Sequence, residues 1–324
     1  LLFTRLVIQK PCTPGNGFFP RSSISGPEDA MRRLTGRTRV VALLGWPVEH
    51  SLSPLMQGAA FEAAGLDWVY VALGVRPGGV GDAVRGLRAL GFAGANVTIP
   101  HKQAVIPYLD ALDAGAQQIG AVNTIQIEGD GRLIGYNTDA DGGYEALLQE
   151  IGFTPAGSRV VVLGAGGAAR ALAFGAAMRQ ARSLSILNRA IEKDQAIALA
   201  TDVGRSFPET ETVGLAWEDE EARARVAAAE LIVQATPLGM KPGDPLPIPI
   251  EWVPSGIAVF DAVYTPERTT FLEGCRLQRH CRAVGGVGML LHQGAAAFRI
   301  WTGRDPDLAV MAGALRAALQ PANA

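Results

Sequence analysis

Cysteine is scarce in this sequence. Cys12, Cys275 and Cys281 are scattered over 324 positions, too few and too irregular for a disulfide framework or a zinc site. Histidine adds only His50, His101, His280 and His292. No cluster at metal-ligand spacing results, so no metal is expected. Neither sign of charge is in excess. With 29 Lys and Arg against 31 Asp and Glu, mixed along the chain, the formal net charge is −2. That leaves no electrostatic footprint for nucleic acid or an anionic membrane, and neither is expected as a partner. No uninterrupted run of about 18 apolar residues exists, which excludes a hydrophobic membrane span. A reducing cytoplasm is the expected location. Aromatic residues make up 6% of the chain. What is plentiful is glycine, 39 residues, within a chain that is 48% hydrophobic. Such a composition suits an α/β protein with tight strand-to-helix turns, long enough for two domains.

The first thirty residues stand apart. They contain Pro14-Gly15-Asn16-Gly17 and Arg21-Ser22-Ser23, and no apolar core ending in a cleavage site, so they read as neither signal peptide nor membrane span. They are expected to form a disordered extension, upstream of Met31 as the candidate native start. Residues 1–35 are assigned to that extension.

From there strands and helices alternate. Val40–Leu44 is a short apolar run fit for a strand buried on both faces. Ser53 then reads as an N-cap with Pro54 at the first helical position, and Gly65 as the stop. A strand at Trp68–Leu73, a helix at Gly81–Leu90 and a strand leading to Thr98 follow. Alternation of this kind predicts a mostly parallel sheet. Pro100 sits where a helix would begin, which places Lys102 in a first helical turn. There the helix dipole disfavours a second cation, an environment that eases proton loss from an ammonium. An amine that gives up and regains a proton serves chemistry at a carbonyl or alcohol. By itself the stretch reads better as a solvated surface lysine, and its weight comes from the rest of the chain. Tyr108–Gln118 reads as a helix, followed by strands around the turn Glu128–Gly131. Asn137-Thr138-Asp139 opens the next helix, with Asp139 either a plain N-cap or a carboxylate facing the same crevice as Lys102.

The clearest local motif comes next. Arg159–Leu163 is a strand, and Gly164-Ala165-Gly166-Gly167-Ala168-Ala169 turns it into an Ala-rich helix. This G-x-G-x-x-A run, between strand and helix, has the context that dinucleotide binding requires: a tight turn at Gly164 and close backbone approach to pyrophosphate at Gly166. The following strand ends in Asn188-Arg189. Where an acid would hold a ribose 2′-hydroxyl there is Arg189, with Lys193 one turn on, which favours NADP. Two further strands end near Thr236 and Tyr264, on the side where open α/β sheets bind ligands. After Gly285-Gly286-Val287-Gly288-Met289 a long helix carries Gln293. A last helix from Asp305-Pro306 carries Leu308, Met311, Leu315 and Leu319 on one stripe. Both need burial, so the pair is expected to fold back on the first domain. The expected division is 36–138 plus 289–324 for one domain and 139–288 for the Rossmann unit.

Taken jointly, several segments resemble the shikimate dehydrogenase family. They are Gly45-x-Pro47-x-x-His50-Ser51-x-Ser53-Pro54, Asn96-Val97-Thr98-x-Pro100-x-Lys102, Ala121–Thr124, Asn137–Asp139, Gly164–Arg170, Asn188-Arg189, and Gly286-x-Gly288-Met289 with Gln293. The likeness spans roughly Thr38 to Leu319 in the family's order. It implies NADPH-dependent, reversible reduction of 3-dehydroshikimate to shikimate in aromatic amino-acid biosynthesis, by a monomer or homodimer. It also implies residue roles: Lys102 and Asp139 as the catalytic pair; Ser51 and Ser53 on the substrate carboxylate with Tyr264 nearby; Thr98, Asn123 and Gln293 on ring hydroxyls. Gly164, Ala165, Gly166, Gly167 and Ala168 would cradle pyrophosphate, Asn188, Arg189 and Lys193 the 2′-phosphate, and Thr236, Gly286 and Met289 the nicotinamide side. The chain departs from the family's usual residues at Ala190, Gln234 and Gly285. Two other readings remain open: a quinate/shikimate dehydrogenase paralogue using NAD or NADP, and a non-catalytic ligand-sensing regulator, which would not need Lys102 and Asp139.

Overall fold

A computed structural model describes residues 34–320. Gly36–Ala324 forms one compact unit; of the other, Leu1–Thr35, only the last two residues are described. All but the last two residues of the expected extension, Met31 included, thus fall outside the described residues.

The first half runs β1 (Arg39–Gly45), α1 (Ser53–Ala63), β2 (Trp68–Gly74), α2 (Val80–Ala89), β3 (Gly94–Val97), β4 (Ala111–Leu112), α3 (Ala114–Ile119), β5 (Thr124–Ile127) and β6 (Leu133–Tyr136). Among the described residues these strands form a six-stranded sheet ordered β2-β1-β3-β5-β6-β4. β1 is parallel to both neighbours, whereas β3-β5-β6 are antiparallel. β4 is again parallel to β6, so three of the five pairings are parallel and the expected mostly parallel sheet is interrupted at β5 alone. The turn between β5 and β6 is too short for a crossover and can only return the chain antiparallel.

The second half is all parallel. After α4 (Asp139–Ile151) come β7 (Arg159–Leu163), α5 (Gly167–Met178), β8 (Ser183–Asn188), α6 (Lys193–Ser206), β9 (Glu211–Ala216), α7 (Glu220–Ala227), β10 (Leu231–Gln234), β11 (Ala258–Asp261), α8 (Thr270–Arg279) and β12 (Arg282–Val284). Their order, β12-β11-β10-β7-β8-β9, is doubly wound, with its switch point between β7 and β10. The apolar strands are covered on both faces. Tyr144, Leu172, Phe174 and Leu199 pack on one side, and Val226, Ile250 and Phe271 on the other.

α9 (Gly286–Thr302) and α10 (Leu308–Leu319) close the chain. They fold back as expected: Phe298, Trp301, Met311 and Leu315 join Val41, Phe61 and Tyr70 in the core of the first sheet. Asp307 caps α10 by accepting from the amides of Ala309 and Val310. Earlier in α9, Met289 is buried in the second core, against α4. One helix is thus rooted in both cores.

Three local expectations fail. No helix follows Pro100. Residues 99–105 form turns, a 3-10 turn covers Ile106–Tyr108, and the helix expected over Tyr108–Gln118 shrinks to α3, capped by Asp113. The short β4, which pairs with β6, interrupts it. Ser53 does not cap α1: it is the first helical residue, Leu52 holds the cap position, and no side chain caps there. Asp139 likewise opens α4 behind Thr138 without capping it.

Candidate active site

Lys102 owes its position to the backbone around it rather than to a helix. Its carbonyl accepts from Val122 N at 2.7 Å, and the imidazole of the buried neighbouring His101 lies 2.6 Å from the Val75 carbonyl. With no helix beginning at Pro100, the dipole argument drawn from that residue has no basis here. Its partner supplies one instead. Lys102 Nζ donates to Asp139 Oδ2 at 2.5 Å, with side-chain exposures of 13% and 6%. A charge pair this secluded is weakly screened by water, so removing either partner strands the other.

Asp139 is placed by α4, whose first turn attracts an anion. Its other oxygen accepts from Asn123 Nδ2 at 2.8 Å. Asn123, buried just before β5, also donates to Thr138 Oγ1, and its Oδ1 accepts from Thr138 N at 2.9 Å. The Asn123 amide is 3.4 Å from Gln293 Oε1, and Thr138 Oγ1 donates to the Gln293 carbonyl at 3.1 Å. Lys102, Asp139, Asn123 and Gln293, drawn from four distant segments, therefore form one hydrogen-bonded chain. Sequence reasoning missed Thr138 as its centre, and Gly142 as well. A Cβ on Gly142 would stand 2.7 Å from Gln293 N, so only glycine lets α9 come this close to α4.

Of the remaining predicted ring and carboxylate contacts, Ser53 is linked to this cluster through Tyr70 and Asn96. Thr98 follows β3 directly, its amide bonded to the Leu44 carbonyl. Ser51 Oγ accepts from Ser53 N at 3.3 Å, and Ser53 is buried at the start of α1. Beside Ser53 lies Tyr70, which no sequence motif marks. Its phenol donates to Asn96 Oδ1 at 2.8 Å, while Asn96 Nδ2 bonds the Asn123 carbonyl and Thr124 Oγ1. Burial pushes the Tyr70 phenol far above its usual range, so it stays a hydrogen-bond donor. Tyr264 lies three residues beyond the end of β11 rather than at its tip, packs on the first core, and is also raised by burial.

The glycine turn adjoins the amine. Gly164 has φ +103°, and a Cβ there would stand 3.0 Å from Thr236 Cγ2 and 3.2 Å from the Ala235 carbonyl. Only glycine permits that crossing of the β7 and β10 loops. A Cβ on Gly166 would meet nothing within 4 Å, and no side chain caps α5. The amides of Gly166, Gly167 and Ala168, with Ala165 leading in, are thus left to an outside acceptor. This donor set fits a dinucleotide's pyrophosphate. The Lys102 side chain runs alongside, its Cδ 3.2 Å from where a Cβ would stand on Gly167. Gln234, a departure from the family's usual asparagine, shapes the facing loop. Its Oε1 accepts from Thr236 N at 2.6 Å and its Nε2 donates to the carbonyls of Thr236 and Leu238. Gly286 starts α9 where a Cβ would strike the Ala262 carbonyl.

Asn188, Arg189 and Lys193 gather away from the amine, at the end of β8. Asn188 is buried and its side chain is spent on the turn, accepting from Arg189 N at 2.9 Å. Although Arg189 stands where an acid would hold a ribose 2′-hydroxyl, an acid does lie beside it. Glu192, three residues on, receives its Nε and Nη2 at 3.1 and 2.7 Å. Lys193 Nζ pairs with Asp219 Oδ2 at 2.8 Å. That bond, together with the Ala216 amide, holds the Asp219 carboxyl below its usual range.

A doubly wound sheet whose glycine turn abuts a buried amine–carboxylate pair defines a two-domain, dinucleotide-dependent oxidoreductase. Comparison with known proteins narrows the class. Residues 43–125 match the model of the shikimate dehydrogenase substrate binding domain, and residues 286–316 that of the shikimate 5'-dehydrogenase C-terminal domain. The NADP(+) shikimate dehydrogenase of Moorella thermoacetica is 50% identical over 290 residues, 89% of this chain and 96% of that protein. A crystal structure of a shikimate dehydrogenase in complex with NADP+ superimposes with a TM-score of 0.82 at 39% identity, covering 91% of this chain and all of that one. A quinate dehydrogenase from Corynebacterium glutamicum, in complex with NAD, gives 0.79 at 30% identity over 86% of this chain and 99% of its own. The chain belongs to the shikimate dehydrogenase family.

Proposed function

We propose that this protein reduces 3-dehydroshikimate reversibly to shikimate with NADPH, as a cytoplasmic step of aromatic amino-acid biosynthesis. The observation that carries the reading is the 2.5 Å Lys102–Asp139 pair lying against Gly167 of the dinucleotide turn. NADPH, when bound, supplies the hydride that reduces the ring carbonyl. Negative charge then builds on the carbonyl oxygen, and the Lys102 ammonium stabilises it and delivers the proton. Asp139 orients that ammonium and accepts from the neighbouring ring hydroxyl. Asn123 fixes Asp139 from behind, and with Thr98 and Gln293 it bonds the remaining hydroxyls. Ser51 and Ser53 hold the carboxylate, with the phenols of the buried Tyr70 and the half-buried Tyr264 close by. Gly164–Ala168 receive the pyrophosphate, Arg189 and Lys193 the 2′-phosphate, and Thr236, Gly286 and Met289 flank the nicotinamide. In this reading residues 36–138 and 289–324 form the substrate domain and 139–288 the nucleotide domain.

A steady-state comparison of shikimate and quinate, each with NADP and NAD, tests the assignment. The highest kcat/KM is expected for shikimate with NADP. A higher value for quinate would favour the paralogue reading instead, and no turnover with any pair would favour a ligand-sensing regulator. The retained and paired Lys102 and Asp139 argue against the regulator.

A further inference from the structure

The two cations assigned to the 2′-phosphate are both already matched by carboxylates. Arg189 gives a forked pair of hydrogen bonds to Glu192, and Lys193 is bound to Asp219. The patch of Arg189, Lys193, Glu192 and Asp219 is therefore electrically neutral in sum. Its two acids differ in kind. Asp219 also accepts from the Ala216 amide at the end of β9, so it is part of the loop's own fabric. Glu192 gives both carboxylate oxygens to Arg189. It sits on the same tight turn as that arginine, where Glu192 N donates to the Arg189 carbonyl at 2.8 Å.

We propose that Glu192 is a specificity-determining residue that restrains the preference for NADP over NAD. The inference rests on Arg189 being the 2′-phosphate ligand. A bidentate guanidinium–carboxylate pair presents the same fork that a phosphate needs. To bind Arg189, a 2′-phosphate must displace Glu192, yet the turn keeps that carboxylate within a few ångströms as a like charge. A ribose 2′-hydroxyl is neutral and meets no such conflict. It can donate to the Glu192 carboxylate, as an acid after the second strand of such a sheet commonly allows. Glu192 thus lowers affinity for the phosphorylated cofactor and supports the unphosphorylated one.

The test is direct titration calorimetry of the full-length protein with NADP and with NAD, alongside kcat/KM for both. It uses the isosteric E192Q and, in parallel, R189A. E192Q removes the charge and keeps the shape. It is expected to tighten NADP by about five- to tenfold while NAD is unchanged or weaker, and to steepen the loss of NADP affinity with added salt. R189A is expected to weaken NADP far more than NAD. If R189A discriminates between the cofactors but E192Q shifts their ratio less than twofold, Glu192 has no such role and the inference is overturned. If E192Q weakens both cofactors alike, Glu192 acts only as an anion at the start of α6, and the inference again falls. If R189A itself weakens both equally, the 2′-phosphate assignment fails and takes the inference with it.

Discussion

Thr138 Oγ1 bonds the main-chain carbonyl of Gln293 at 3.1 Å, and one turn further on Gly142 has no room for a Cβ beneath the same residue. The entrance of α4 and the middle of α9 are thus in van der Waals register at the point where Asp139 and Gln293 both meet the Asn123 amide. Gly142→Ala would force the two helices apart. Overpacking of this kind costs about 1–3 kcal/mol, so the melting temperature should fall. Because Gln293 moves with α9, KM for shikimate should rise more than kcat falls. A variant with wild-type melting and wild-type KM would show that the two helices slide freely.

Lys102 should carry more of the rate than of the binding. Lys102→Ala is expected to lower kcat by about 10²–10⁴ while shikimate still binds, as followed by titration in the presence of NADP. Asp139→Asn should also lower kcat, and in addition lower stability, because the ammonium is left buried without its counter-charge. Unchanged turnover in Lys102→Ala would remove the lysine from the mechanism.

Asp261, at the end of β11, gives a pH signature unrelated to catalysis. Burial raises its pKa from 3.8 to about 6, against the opposing hydrogen bonds from Thr269 and the Val263 amide. A carboxyl raised on folding contributes its stability in full below its unfolded value and loses it as pH climbs through the folded one. A shift of this size corresponds to about 3 kcal/mol, forfeited between roughly pH 4 and 7. Asp261→Asn should therefore gain in melting temperature relative to wild type as pH rises from 5 to 8. Parallel pH curves for the two proteins would contradict the assignment.

What could be read from the sequence follows the range of the signals. The β7–glycine–α5 unit was legible to the residue, because strand, turn and helix start all depend on neighbours in the chain. The stripe on α10 predicted its return to the first core, since an apolar face must be covered by something. Lys102 was found through its motif, but its setting was misjudged. Pro100 reads as a helix start, whereas the carbonyl of Lys102 is claimed by Val122, twenty residues later. The antiparallel return of β5 and β6 was likewise hidden by the preceding alternation of strands and helices. Tyr70 and Gly142 carry no local mark, and Thr138 and Gln234 stand out only as part of a motif and as a departure from one. Their roles come from partners that only the folded chain brings near. Glu192 could have been found, because an acid three residues after an arginine at a helix entrance is within reach of it.

The seventeen-residue α9 begins at the nucleotide turn side with Gly286 and ends inside the first core with Trp301, which donates to the Ile125 carbonyl. A stiff rod clamped at both ends acts as a tie between the two cores. Gln293 stands between the anchored ends and meets Asn123 there. A packing change at either end of the rod would therefore be passed along it to that side chain.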